Sequence, residues 1–163
     1  MNTLDPWPER QPDFANLFNP AFAGVLLREC CSGFHQASSR GMPFPLCFVA
    51  PAMVLHPGVR SSLPRTVRTR FSEWIRSDQT VRADLALAIK ELVPVVRESL
   101  LIMISSGLLT LQAGEVVPGG NLNRAGDVTA ALSLFLERSQ FVGRWLARGG
   151  TVQSVFEAIG IRP

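Results

Sequence analysis

Residues Leu92 to Leu111 read LVPVVRESLLIMISSGLLTL. Pro94 suits the first turn of a helix, because its missing N–H is among the donors that a first turn leaves free. Val95, Val96, Ser99, Leu100, Ile102, Met103 and Ser106 then recur at three- and four-residue spacing, the mark of one helical face. Gly107 suits the stop, since glycine takes the left-handed conformation that ends a helix. The period then changes. Leu108 to Leu111 and Glu115 to Pro118 read as two short strands around Gln112, Ala113 and Gly114. A buried helix that runs straight into a hairpin is the ending of a winged helix-turn-helix domain. Nothing in this stretch has the make-up of a catalytic centre.

The expected fold is therefore mainly α, a winged helix-turn-helix-like core with one β-hairpin and additional N- and C-terminal helices. A chain of 163 residues suits one domain. Residues 1–18 read as a non-regular N-terminal arm, and 19–163 as a single helical winged-helix-like domain. Hydrophobic residues make up 47% and charged ones only 18%, with mean hydropathy +0.20. About a quarter charged is usual. Either apolar surface is covered by a partner, or the surface is polar without being charged. The stretch from Met42 to Leu55 is interrupted by Pro43, Pro45 and Pro51 and falls short of the ~20 residues that span a membrane. With Asp5, Glu9 and Arg10 among prolines, the N-terminus does not read as a signal peptide. Cys30, Cys31 and Cys47 are odd in number, with two adjacent, which suits reduced thiols in a cytosol rather than a disulfide framework.

Along the chain, Trp7, Phe14, Leu17 and Phe18 lie among Pro6, Pro8 and Pro12, and are expected to pin the arm to a surface, on the domain or on a partner. Asn19-Pro20 is a helix start, Asn as cap and Pro at the first position. A helix over Ala21–Ala37 follows, then a loop, then a short buried helix over 46–55 that Pro51 should kink or split. His56, before Pro57, reads as a capping or packing residue. A helix is expected to open around Ser62–Arg65 and run through Trp74 and Ile75, and another from Thr80 to Val93, or onward with a kink at Pro94. Asp127 is the expected cap of a helix from Val128 to Ala147, and Thr151–Ile159 is the last helix. Trp74 and Trp145 should be buried.

Net charge is +3, and fifteen of the sixteen basic side chains are arginine. That bias favours bidentate contacts to carboxylate or phosphate. Arg60, Arg65, Arg68, Arg70 and Arg76 crowd one zone, and Arg144 and Arg148 sit near the end of the last long helix. These seven are the candidate contacts for a partner or a nucleic acid, weighed against an ordinary charged surface. The chain has no phosphate-binding loop, dinucleotide fingerprint or His-Glu-x-x-His. Cys30, Cys31 and His35 make a poor metal set, because adjacent helical cysteines point about 100° apart. Cys31 and His35, four apart, lack an acid to orient the histidine. No catalytic residue, metal or cofactor is expected.

Asn19-Pro20-Ala21-Phe22, the Gly41–His56 segment with its Pro-Phe-Pro-Leu centre, and Pro94 with Arg97-Glu98-Ser99 carry a resemblance. So do the Gly107–Pro118 passage, Gly143-Arg144-Trp145 and the closing Gly160-Ile161-Arg162-Pro163. Together they make the chain resemble the middle component of bacterial three-component ABC systems. That resemblance implies a non-enzymatic adaptor whose partners are an SMC/Rad50-like ABC ATPase and the effector subunit of the same system. It implies defence or genome conflict, with an indirect or weak contact to DNA. The other reading is a DNA-binding winged-helix regulator. A helix that reads bases needs Arg, Asn or Gln. Residues 94–106 offer only Arg97, and the hairpin tip is neutral or acidic, which tilts the balance toward protein binding.

Overall fold

The computed structural model describes residues 19–120 and 129–162. Helix α1, Pro20–Ser38, opens as its first residues dictate: Asn19 Oδ1 accepts the N–H groups of Ala21 at 2.9 Å and Phe22 at 3.4 Å. A two-residue strand β1, Met42–Pro43, leads into α2, Leu46–Leu55, which runs unbroken through Pro51. His56 then caps α3, Pro57–Ser62, its Nδ1 accepting the Val59 N–H at 3.3 Å.

The helix expected from Ser62 to Ile75 does not form as one piece. Leu63 precedes Pro64 and is held extended, with ψ 138°, as the proline ring requires. Residues 63–70 link α3 to α4, Phe71–Ser77. The link is fastened at both ends by tryptophan, Trp74 Nε1 donating to Ser62 O at 2.8 Å and Trp145 Nε1 to Thr69 O at 2.6 Å.

Helix α5 spans Gln79–Ser105, 27 residues or about 40 Å. Asp78 caps it, accepting from Thr80 and Val81. The break expected before Pro94 is absent; of the two readings, the continuous one holds. An internal proline costs about 3 kcal/mol through its missing donor and its ring. Burial on both sides offsets it: Leu85, Ala88, Ile89 and Leu92 before, Val95, Val96, Leu100 and Met103 after. Lys90, whose carbonyl loses its donor, lies on the exposed side where water can serve instead.

Gly107 ends α5 as its sequence suggests. At φ +71° it lets Leu108 N–H reach Met103 O at 2.9 Å while its own N–H reaches Ile104 O at 3.0 Å, the paired bonds of a Schellman close. Strands β2, Leu109–Gln112, and β3, Glu115–Pro118, follow. Gln112 pairs with Glu115 and both loop residues have positive φ, Ala113 at 50° and Gly114 at 79°, so the turn is type I′. Strand β1 pairs with β3, Met42 opposite Val116, giving an antiparallel sheet of order β1-β3-β2. The sequence reading had only the hairpin. Arg40 fastens the third strand with an ion pair to Glu115, whose other oxygen accepts the Gly41 N–H. The order α1-β1-α2-α5-β2-β3 is that of a winged-helix-like core, with α3 and α4 set between its second and third helices.

Helix α6, Ala130–Leu146, is capped by Thr129. The expected cap Asp127 and start Val128 lie outside the described residues. Thr151 caps α7, Val152–Ile159, and Gly160 closes it at φ +88°. Arg82 Nε donates to Ile159 O at 3.0 Å and so fixes the end of α7 to α5. Seven helices and three strands stand among the described residues, around a core that includes Leu26, Leu27, Trp74, Leu85, Val96 and Trp145.

Helices α1 and α6 touch backbone to backbone. A Cβ on Gly143 would lie 1.9 Å from Cys30 O, and one on Gly33 would lie 2.2 Å from Gln140 O. No side-chain rotation relieves either clash. Gly143→Ala should therefore lower stability by about 3 kcal/mol, the upper end of ordinary overpacking, read from urea denaturation. Ala113→Asn should raise it by up to about 1 kcal/mol, since Asn tolerates the left-handed turn position better than Ala.

Candidate interaction surface

The side of α5 that turns away from the core is mixed, with Leu87, Leu101, Ile102 and Ile104 exposed among Lys90, Glu91 and Arg97. Leu87, Pro94, Arg97, Leu101 and Ile104 follow one another at intervals of seven, three, four and three, so they form one stripe about 25 Å long. Leu101 is 70% exposed and Leu87 56%. Ile102, read in sequence as part of the inward face, is 40% exposed beside the stripe. Ser99, by contrast, is fully buried, its hydroxyl directed at Pro20 O (2.7 Å) and Val95 O (2.8 Å), which ties the start of α1 to α5.

The seven candidate arginines divide. Arg60 is occupied within the fold: Nη1 donates to Val54 O at 2.7 Å and Leu55 O at 3.3 Å, and the guanidinium lies 4.6 Å over the Phe135 ring. It caps α2 and joins α2, α3 and α6, so its charge is not offered outward. Arg65, Arg68, Arg70, Arg76 and Arg148 are exposed, and Arg144 is half-buried. The only ion pair among these six with a described residue is Arg70 with Glu73, at 4.0 Å and open to water, a contact worth little. The bond from Trp145 to Thr69 sets the last turn of α6 against the 63–70 link. Arg148 is thereby brought to the same end of the molecule as Arg68 and Arg70.

The sequence reading missed an apolar hollow of about 270 Å3. Phe44, Pro45 and Phe48 enter it from the start of α2, and Ile89, Val93 and Arg97 from α5. Phe156, Ile161 and Arg162 close it from α7 and the residues after it. Phe44 and Phe48 meet edge to face, centroids 5.5 Å apart, and Phe44 is 37% exposed. A second hollow continues past Val93 and Arg97 to Leu87, Lys90, Glu91 and Pro94. The available signal was a phenylalanine held between two prolines, a place where the ring need not turn inward.

Residues 7–163 match the model of the family described as ABC-three component (ABC-3C) system Middle Component 3. The chain belongs to this family. No curated protein and no solved structure matches it. Three of the segments that carried the resemblance, at Phe44-Pro45, Arg97 and Ile161-Arg162, meet at the hollow.

No three His, Cys, Asp or Glu side chains among the described residues are placed to hold a metal. No described helix is long and apolar enough to cross a membrane. His35 is exposed with Nδ1 3.1 Å from Arg40 O, away from the buried Cys31. Cys30, Cys31 and Cys47 are buried free thiols. Burial, more than the neighbouring Cys31, pushes the Cys30 thiol well above its ordinary range. The thiol hydrogen bond to Cys31, together with burial, does the same to Cys47. Such thiols are poor nucleophiles.

In the unfolded chain these thiols ionise near pH 8.5, while in the folded middle component they hold their protons. The unfolded state then binds fewer protons, so stability is unaffected well below pH 8.5 and falls above it. The expected slope is up to about 1.4 kcal/mol per pH unit for each of Cys30 and Cys47. Chemical denaturation between pH 7 and 10 measures it, and Cys30→Ser/Cys47→Ser should flatten the curve.

Proposed function

We propose that this middle component is a non-enzymatic adaptor bridging an SMC/Rad50-like ABC ATPase and the effector subunit of a bacterial defence or genome-conflict system. The observation that carries this reading is the outer face of α5. In a winged helix, the helix before the hairpin is the one that enters the major groove and offers donors to base edges. Here that face offers Leu87, Leu101 and Ile104, with Arg97 the only arginine in the stripe. An apolar stripe with a polar rim suits a protein surface. Family membership supports a place between two other subunits. The exposed Arg65, Arg68, Arg70 and Arg76, with Arg148, form a second contact edge in this reading, facing carboxylates of a partner.

The alternative, a DNA-binding winged-helix regulator, is favoured by that same arginine edge. The two are separated by purifying the protein together with the subunits encoded beside it. Leu101→Glu/Ile104→Glu should cut retention of one subunit at least about tenfold, the effect of losing a central apolar anchor. It should leave binding to duplex DNA unchanged. A fourfold variant, Arg65, Arg68, Arg70 and Arg76 each to Ala, should weaken retention of a subunit. Arg60 is excluded because its loss would unsettle the end of α2. Should the fourfold variant keep both subunits and lose a salt-dependent DNA affinity, the regulator reading would replace the adaptor.

A further inference from the structure

The hollow between α2, α5 and the end of α7 is apolar in its depth and positive at its rim. Ile89 and Phe156 are buried at its floor, and the more open Phe44, Phe48, Val93 and Ile161 form its walls. Arg97 and Arg162 are exposed at the rim, neither in an ion pair with a described residue. No acidic side chain is among its lining residues. At about 270 Å3 it falls below the roughly 300–1,000 Å3 of sites that enclose a whole small molecule. It suits one large apolar side chain delivered from outside. Two guanidiniums beside that position call for carboxylates next to the apolar group, because the arginine fork pairs with them through parallel hydrogen bonds. A phosphate backbone would satisfy the arginines and leave the aromatic walls bare.

The second hollow meets the first at Val93 and Arg97 and carries it onward past Pro94 to Leu87. Lys90 and Glu91 there are of opposite sign, so Arg97 and Arg162 set the charge of the whole groove. Pro94 has no N–H, so Lys90 O lacks its regular helical donor and remains an acceptor at this surface. An apolar hole, a continuation on the far side of Arg97 and a main-chain acceptor together match an extended peptide better than a compact ligand.

We propose that this groove binds an acidic linear segment of a neighbouring subunit, with one large apolar side chain between Phe44, Phe48 and Ile161 and carboxylates on either side of it paired with Arg97 and Arg162. The source of the segment rests on the adaptor reading. The groove itself is separate from Leu101 and Ile104, which line neither hollow.

The probe is a set of overlapping synthetic peptides that tile the subunits encoded beside this protein, read with the labelled intact chain. Binding should concentrate on peptides with Trp, Phe or Leu flanked by Asp or Glu. Exchanging the apolar anchor for Ala, or its acidic neighbours for Asn or Gln, should weaken the best peptide at least about tenfold. Phe44→Asp should do the same from the other side. Arg97→Glu/Arg162→Glu should lose the acidic peptide and gain its counterpart with Lys in place of Asp and Glu, a reversal that a misfolded chain cannot produce. Leu101→Glu/Ile104→Glu should leave peptide affinity unchanged. The proposal is overturned if the best peptides are neutral or basic, or if acidic ones bind every variant equally well. It is also overturned if no peptide binds and the double charge reversal instead abolishes an affinity for duplex DNA, which gives the rim to phosphate. Subunits retained by the intact protein with no peptide bound would sink this groove and leave the adaptor standing. Peptides bound with neither subunit retained would support the groove and sink the adaptor.

Discussion

The backbone contact between α1 and α6 is the constraint on which the remaining packing depends. With Gly33 against Gln140 O and Gly143 against Cys30 O, the two helices lie closer than any side chain at those positions would permit. The approach fixes their register, because a slide of one turn would bring Cys30 or Gln140 where a glycine is needed. Polar side chains then read the same register: Gln140 donates to Glu29 at 2.6 Å, and Arg28 bonds Glu29 at 3.1 Å and Gly120 O at 2.7 Å. Three thiols are closed off beneath the contact. At its far end the fixed α6 delivers Trp145 to Thr69, packs it against Phe71 and edge-on to Trp74, and thereby holds a link that has no regular structure of its own.

Helix α5 answers a different demand. It must bury one side against α1 and α2 and still present about 25 Å of another side outward. A single uninterrupted helix does both only if Pro94 is tolerated, and the proline sits on the half-buried boundary where its lost hydrogen bond can be supplied by water.

Features that depend on neighbours in sequence were legible before the structure. Asn19-Pro20 and Gly107 act within a few residues, and each did what its local chemistry requires; the hairpin was legible too, though Gln112 belongs to β2 rather than to the loop. The inward positions of Trp74 and Trp145 followed from helical spacing. The missed features depend on contacts distant in sequence. Pro94 looked like a beginning because the burial that holds α5 together on both sides is not written next to it. Strand β1 is two residues long, and only its pairing with β3 makes it a strand. Arg60 looked like its exposed neighbours, yet the α2 carbonyls and Phe135 decide its role. The hollow draws on three segments that the sequence keeps more than forty residues apart.

Arginine accounts for nearly all of the positive charge, and the structure gives this residue two uses that lysine would serve poorly. Arg60 holds two carbonyls through Nη1 while its flat face lies over an aromatic ring, and Arg82 reaches the end of α7 through Nε; an ammonium has no such plane to lay on a ring. The exposed set has no such employment inside the fold. A diffuse attraction to phosphate would be met as well by lysine, of which there is one. A bias toward bidentate geometry on the surface argues for paired oxygens presented at fixed positions, which carboxylates and phosphates both offer.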